Sequence, residues 1–386
     1  MEAGAGTGAL PHYVDPRTGR TYPLDVLRWR GDDGAPLFVS PLPGITRQDI
    51  DTGERSLWRY RAAFPVDVPE PVSLGEGRTP LLERTWGGAG TVLFKPEWYG
   101  PSGSFKDRGS SVMISVLAGR GVKEVIEDSS GNGGSSVSAY CAAAGIRARI
   151  LAPEGTSPAK VLQSRAYGAE VRLVPGDRDA TAAEALRQSA HTAYAGHNWH
   201  PFFLQGVKTL AYEIWEDLGF RAPDSVVTVA GAGSTVLGLD LGFRELLAAG
   251  QIAAPPRLLV AQPANCAPVH AAFHGLPAPG AGWAPTVAEG TAIKAPVRLP
   301  EVVAAVRRSG GDMAAIPEDG ITSAVRRLAA IGFYAEPTSA TAAAAIDVFA
   351  SRGAIRPGGT TVVLLTGSGL KASADMTRIF APEGRP

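Results

Sequence analysis

The stretch Pro101-Ser102-Gly103-Ser104-Phe105-Lys106-Asp107-Arg108-Gly109 sets one lysine between small, turn-forming residues and a helix expected over 110–118. A lysine placed this way is held at a fixed point instead of sampling solvent. Burial disfavours the ammonium form, and the neutral amine attacks carbonyl carbons, which is how lysines form Schiff bases. Lys106 is therefore the candidate for the chemistry. The plain alternative is a helix-terminal lysine paired with Asp107.

Two further stretches set small residues between a strand and a helix. Gly231-Ala232-Gly233-Ser234-Thr235 follows a strand expected over 226–230. Its backbone N–H groups can close around an anion, and a helix N-terminus adds partial positive charge, so it suits a phosphate. A dinucleotide fingerprint fits poorly, because Val236 stands at the third glycine and Gln262, not an acid, ends the next strand. A plain tight turn is the other alternative. Ser129-Ser130-Gly131-Asn132-Gly133-Gly134-Ser135 offers hydroxyls and N–H groups to a carboxylate, and Asn132 offers an amide to a phenolic oxygen. Alone, it reads equally as a helix cap with glycines.

Taken together, Ser104-Phe105-Lys106-Asp107-Arg108-Gly109, Ser129-Ser130-Gly131-Asn132 and Thr366-Gly367-Ser368-Gly369-Leu370-Lys371 resemble the fold-type II pyridoxal phosphate enzymes, and among them the threonine synthases. The resemblance runs from about residue 77, where Gly77-Arg78-Thr79-Pro80-Leu81 supplies another family word, to residue 371. It implies that Lys106 carries the cofactor and that residues 231–235 hold its phosphate. Asn132 would meet its 3-hydroxyl, and Thr366 its ring nitrogen. It makes Ser129, Ser130 and Gly131 the grip on the substrate carboxylate. Glu336, in Glu-Pro-Thr-Ser-Ala, either lines the cofactor ring or caps a helix. Ser368 departs from the histidine often found there.

The chemistry implied is elimination or replacement at the β or γ carbon of an amino acid. O-phosphohomoserine is the leading substrate, with a dehydratase or a β-replacement synthase as the alternative and a catalytically dead sensor as a remote one. Lys160 and Arg165, on a helix expected over 157–167, are candidates for an anionic substrate end. Against that, Gly176-Asp177-Arg178-Asp179 and Gly231 replace family residues that would offer donors.

Composition agrees with a small-molecule enzyme. The chain has 386 residues, 45% of them hydrophobic, enough for two domains with substantial cores. Lys plus Arg and Asp plus Glu number 37 each, so no basic excess points to nucleic acid or an acidic membrane. Cys141 and Cys266 are too few and too far apart for a disulfide framework, which suits a reducing cytoplasm. No run of about 18 apolar residues suggests a membrane span, and residues 1–13 lack the features of a signal peptide. No metal motif stands out, and His191, His197 and His200 read as structural or surface residues.

Elements must then position these words. Residues 1–75 read as an irregular arm with small hairpins near 21–24 and 36–39, and its Trp58, Arg59 and Tyr60 pack on the body or on a second subunit. Strands are expected over 91–95, 124–128, 147–152, 170–174, 226–230, 257–262 and 360–365. Between them lie helices over 134–144, 157–167, 206–218, 235–249, 318–331 and 339–351. Such alternation gives parallel sheets, and two series imply two lobes with an active-site cleft between them. The resemblance adds the connectivity. A larger cofactor-binding domain would comprise 76–109 and 220–386, with a small α/β domain inserted over 110–219. A homodimer is the expected assembly.

Overall fold

The computed structural model describes residues 10–279 and 282–381. Residues 1–9 of the expected arm, 280–281 of an expected surface loop and 382–386 at the end of the expected larger domain lie outside the described residues.

Six strands form the larger sheet, in the order Asp312–Ile316, Arg257–Pro263, Ser225–Val229, Thr361–Leu365, Thr91–Pro96 and Leu82–Thr85. All neighbours are parallel except the last pair, which is antiparallel and closes the edge. The central strands Ser-Val-Val-Thr-Val and Thr-Val-Val-Leu-Leu are buried at every residue. An apolar run of that kind belongs to a strand covered on both faces. Helix Pro337–Ser351 lies against one face, where Val227, Val363 and Leu365 meet Ala340, Ala343 and Ile346. Helix Ser234–Ala248 lies on the other, where Val226 and Val362 meet Val236, Leu239 and Phe243.

The second sheet has four parallel strands in the order Glu170–Val174, Arg147–Pro153, Glu124–Glu127 and Ala193–Tyr194. Every strand in it comes from the segment between Lys106 and the helix Pro201–Val207, while the strands just before Lys106 belong to the larger sheet. The fold is the α/β, two-sheet architecture expected.

Several elements differ from expectation. The lysine does not wait in a loop before a helix; helix Lys106–Gly119 begins at it. One helix over 206–218 is in fact two, Pro201–Val207 and Thr209–Asp217, joined at Lys208. Helix Arg178–Gln188, helix Leu299–Arg308 and strand Asp312–Ile316 had no sequence reading. The arm is more ordered than its composition suggested, with Thr21–Pro23, His12–Val14 and Phe38–Val39 pairing in an antiparallel sheet. It packs on its own body. Trp58 Nε1 donates to Ser111 Oγ at 2.9 Å, and Arg59 and Tyr60 both reach Glu216 at 2.6 Å.

Candidate active site

Four connections leave the carboxyl ends of parallel strands, and they carry all the sequence words except Gly77 to Leu81, Glu336 and the Lys160/Arg165 pair. The lysine turn follows Thr91–Pro96, residues 128–131 follow Glu124–Glu127, residues 230–233 follow Ser225–Val229, and Thr366 follows Thr361–Leu365. Ligands in open parallel sheets bind at such ends. Backbone bonds lock two of the connections together. Phe105 N–H donates to Thr366 O at 3.0 Å, and Ser368 N–H donates to Gly103 O at 3.2 Å.

Lys106 is partly buried, and its Nζ stands 4.6 Å from the centroid of the Phe105 ring and 5.7 Å from that of Phe203. Phe203 comes this close because helices Lys106–Gly119 and Pro201–Val207 cross at glycines. A Cβ on Gly109 would lie 2.4 Å from Phe203 Cε2, and one on Gly206 would lie 2.0 Å from Arg108 O. Among the described residues no carboxylate pairs with the Lys106 amine. Asp107 is turned away, accepting from Ser102 N–H and Oγ at 2.8 and 2.5 Å and from Ser136 Oγ at 2.7 Å. Burial lowers the Lys106 pKa to about 7, with Glu127 and Glu336 opposing the fall and Arg178 adding to it. The amine is thus substantially neutral near pH 7, as a nucleophile toward an aldehyde must be.

Arg108 fastens the start of this helix. It is buried, and pairs with Glu97 at 2.6 Å and Glu213 at 2.8 Å; Lys95 also pairs with Glu213 at 2.8 Å. Thr79 of the Gly-x-Thr-Pro-Leu word donates to Glu97 at 2.6 Å. That word therefore serves the frame around the lysine.

Residues 231–235 form an N-terminal cradle. Gly233 adopts φ +89°, and a Cβ there would lie 2.2 Å from Val302 Cγ2, so glycine is required both for the turn and for the approach. No side chain caps helix Ser234–Ala248, and among the described residues the N–H groups of Ala232, Gly233, Ser234 and Thr235 have no acceptor. The Thr235 hydroxyl is spent on Val229 O at 3.0 Å. Its contribution to an anion is its backbone N–H. The cradle fits a phosphate.

The loop at 129–134 is built the same way. Helix Asn132–Ala144 has no side-chain cap at Gly131, and no acceptor is found among the described residues for the N–H groups of Ser130, Gly131, Asn132, Gly133 and Gly134. Asn132 Nδ2 donates to both Glu336 oxygens, at 3.2 and 3.1 Å. Glu336 precedes helix Pro337–Ser351, and it is 6% exposed. Burial raises its pKa to about 7 against the pull of Asn132, Lys371 and Lys106. Of the two readings of Glu336, the side chain joins the site and the backbone enters the helix. Thr366 is buried, with Oγ1 3.1 Å from Ser339 Oγ. Ser104 Oγ, two residues before the lysine, is buried and has no hydrogen-bond partner among the described residues. The donor set fits pyridoxal phosphate: an amine, an anion cradle, a hydroxyl and an amide, each on a connection at the carboxyl end of a parallel strand.

The proposed grip on a substrate anion fares differently. On helix Pro158–Ala166 the side that meets the site carries Gln163, which donates to Ser102 O at 3.0 Å and accepts from Lys371. Arg165 is two positions on, about 200° around the helix, and is exposed. Lys160 is exposed and paired with Glu289. The sequence missed two better-placed cations. A cavity of about 160 Å³ is walled by half-buried Arg178, exposed Lys294, Asn198, Trp199 and Ala232 of the phosphate cradle, together with Asp128, Asp177 and Asp179. Neither Arg178 nor Lys294 has an ion pair among the described residues. In the sequence Arg178 shows only as a departure from a family word, and no periodicity places Lys294. His197 and His200 also prove more than surface residues. Both are buried; His200 Nδ1 accepts from Phe202 N–H at 3.3 Å, and His197 is bound to Glu127 beside the lysine.

With this geometry in place, the comparisons converge. Residues 72–367 match the family described as "Pyridoxal-phosphate dependent enzyme", and the chain belongs to it. It is a pyridoxal phosphate-dependent enzyme. Within that class its sequence is similar to threonine synthases. It is 31% identical to that of Methanocaldococcus jannaschii over 92% of this chain and 91% of the relative. It is 32% identical to that of Methanosarcina acetivorans over 85% and 83%. Among solved structures, O-ureido-L-serine synthase superposes with a TM-score of 0.66 at 24% identity, covering 80% of this chain and 95% of that one. Maize serine racemase does so with 0.65 at 20% identity, covering 79% and 92%. These two share the fold. No helix among the described residues is long and apolar enough to cross a membrane.

Proposed function

We propose that the chain converts an amino acid with an anionic leaving group at Cγ, in the manner of a threonine synthase: O-phosphohomoserine and water give threonine and phosphate. The observation that carries the choice is the pair Arg178 and Lys294, neither in an ion pair among the described residues, on a cavity that adjoins the phosphate cradle and that Asp128, Asp177 and Asp179 also line. They replace Lys160 and Arg165 as the groups we assign to the substrate anion. The similarity to threonine synthases over nine-tenths of the chain supports the same reading.

When bound, the cofactor supplies an aldehyde that joins to amines and a ring that withdraws electrons from the adjacent carbon. The protein does the rest. N–H groups of residues 130–134 hold the substrate carboxylate, and those of 232–235 hold the cofactor phosphate. Asn132 and Glu336 orient the face between them, with Thr366 on the ring nitrogen. Lys106, neutral near pH 7, takes protons in turn from Cα and Cβ of the substrate, and protons return to Cγ and Cα. The Cγ–O bond breaks with its electron pair leaving on phosphate, and water supplies hydroxyl at Cβ.

A dehydratase or β-replacement synthase is the second reading, and Phe105 and Phe203 beside the amine favour it, because they make that wall apolar. We include a cytoplasmic homodimer in the proposal; both cysteines are free and buried, as a reducing compartment allows, and light scattering tests the assembly. Phosphate and threonine released from O-phosphohomoserine by cofactor-loaded protein test the reaction. Loaded protein that releases no phosphate but deaminates serine or threonine would favour the second reading.

A further inference from the structure

A buried acid and an imidazole lie beside Lys106, and the reaction as written so far gives them no task. Glu127 ends strand Glu124–Glu127 and is 0% exposed; His197 lies in the turn ahead of helix Pro201–Val207. His197 Nδ1 is 2.5 Å from Glu127 Oε1, and the His197 backbone N–H donates to Oε2 at 3.2 Å. One residue therefore fixes both oxygens of the acid.

The imidazole is equally fixed toward the site. Its ring meets Phe203 edge-on with centroids 5.7 Å apart, and Lys106 Nζ is 5.7 Å from that same Phe203 centroid. On another side it abuts the carboxylate loop, since a Cβ on Gly133 would lie 2.7 Å from His197 Cε1 and Nδ1. The imidazole thus borders both the loop and the lysine's aromatic wall. Its Nε2 has no partner among the described residues.

Electrostatics give the pair a direction. Burial raises Glu127 to about 8, against the lowering effect of the His197 N–H, Lys106 and Arg178. Burial lowers His197, with Lys106 and Arg178 lowering it further and Asp128 opposing. Near neutral pH the spare proton belongs to the acid, and the neutral ring keeps a proton on Nε2.

The proposed reaction needs such a proton, and this inference rests on that reading. The substrate gives up hydrogens at Cα and Cβ. The phosphate leaves with one of these protons, Cγ receives the other, and Cα still lacks one. Lys106 holds a single transferable proton at a time, so its amine must be reloaded within the turnover.

We propose that Glu127 and His197 are the proton store that reloads Lys106. In this step the Glu127 Oε1 proton passes to His197 Nδ1 while the Nε2 proton passes by way of a bridging water to the neutral Lys106 amine, since Nε2 and Nζ share no direct hydrogen bond among the described residues. A carboxylate, a neutral imidazole and an ammonium result, and the ammonium protonates Cα. The proton left when water gives its hydroxyl to Cβ refills the acid. His197 and Glu127 act through Lys106 and are positioning residues for it.

Two readouts test this without following turnover. The first is deuterium uptake at Cα of threonine bound to loaded protein in heavy water. His197→Gln and Glu127→Gln should each slow it by about 100-fold while the cofactor dissociation constant stays within about threefold. Uptake at the wild-type rate in either variant, or no uptake in the wild type, overturns the store, and so does a loss that tracks weakened cofactor binding. The second is capture of pyridoxal phosphate by cofactor-free protein across pH. Because Glu127 holds its proton near pH 7, Glu127→Gln should leave the capture midpoint nearly unmoved; a midpoint shifted clearly to lower pH would show a charged Glu127 at the lysine and overturn the acid as the proton store. If uptake depends on His197 but O-phosphohomoserine yields no phosphate, the store stands and the proposed substrate falls.

Discussion

Asn132 Nδ2 reaches both oxygens of Glu336, at 3.2 and 3.1 Å, and so ties the first residue of a small-sheet helix to the residue preceding a large-sheet helix. The two positions are 204 apart in sequence. Beside it, Lys371 donates to Gln163 across the same gap. The acid in this crossing is buried and unusually easy to protonate, and a stability signature follows from that.

Glu336 has its pKa raised by burial from 4.5 to about 7. Between those values the folded protein holds more proton than the unfolded chain, so this contribution to stability is present below about 4.5 and lost as pH rises through about 7. Glu336→Gln cannot lose it. Thermal melts at steps from pH 4.5 to 8 should show the variant gaining on the wild type as pH rises; a constant difference would mean that Glu336 does not titrate in this window.

Lys106 should capture pyridoxal phosphate with a rate that rises about tenfold per pH unit below its pKa and levels off above it, which here means levelling near pH 7. Borohydride should then fix the cofactor on Lys106. Lys106→Ala should show neither the absorbance nor any turnover. Peptide mapping that finds the reduced cofactor on Lys371 or another lysine would remove the central assignment.

Arg108 neutralises two buried acids, Glu97 and Glu213, next to the reactive lysine. Arg108→Ala leaves them unpaired, at a cost of about 3 to 5 kcal/mol in denaturant unfolding. Arg108→Lys should recover only part of this, because a single ammonium cannot reproduce the fork that spans both carboxylates. Full recovery by lysine would show that charge alone matters.

Gly233→Ala brings a methyl 2.2 Å from Val302 Cγ2 at a φ of +89°. The strain should displace the cradle and cost about 1 to 3 kcal/mol, read as weaker binding of pyridoxal phosphate by about ten- to hundredfold. Alanine at neighbouring Ala232 is native, so the effect belongs to the position. Unchanged affinity would place the cofactor phosphate elsewhere.

The sequence by itself determined the parts whose physics is local. Valine-rich runs fixed the buried parallel strands, and small residues after them fixed the cradles at 129–134 and 231–235, because a strand end followed by glycines and a helix leaves backbone N–H groups unspent. The lysine turn was legible for the same reason, and the family words agreed with it. Only the tertiary structure decided which distant groups meet. Lys160 and Arg165 looked apt because helical spacing placed them near one another, yet spacing carries no information about which face turns inward, and Gln163 took it. Arg178 and Lys294 reach their cavity from a helix start and a loop 116 positions apart. His197 read as an ordinary histidine until Glu127, 70 residues earlier, was seen to hold it. What a charged or titratable side chain meets depends on chain segments distant in sequence, whether it is buried like His197, half-buried like Arg178 or exposed like Lys294.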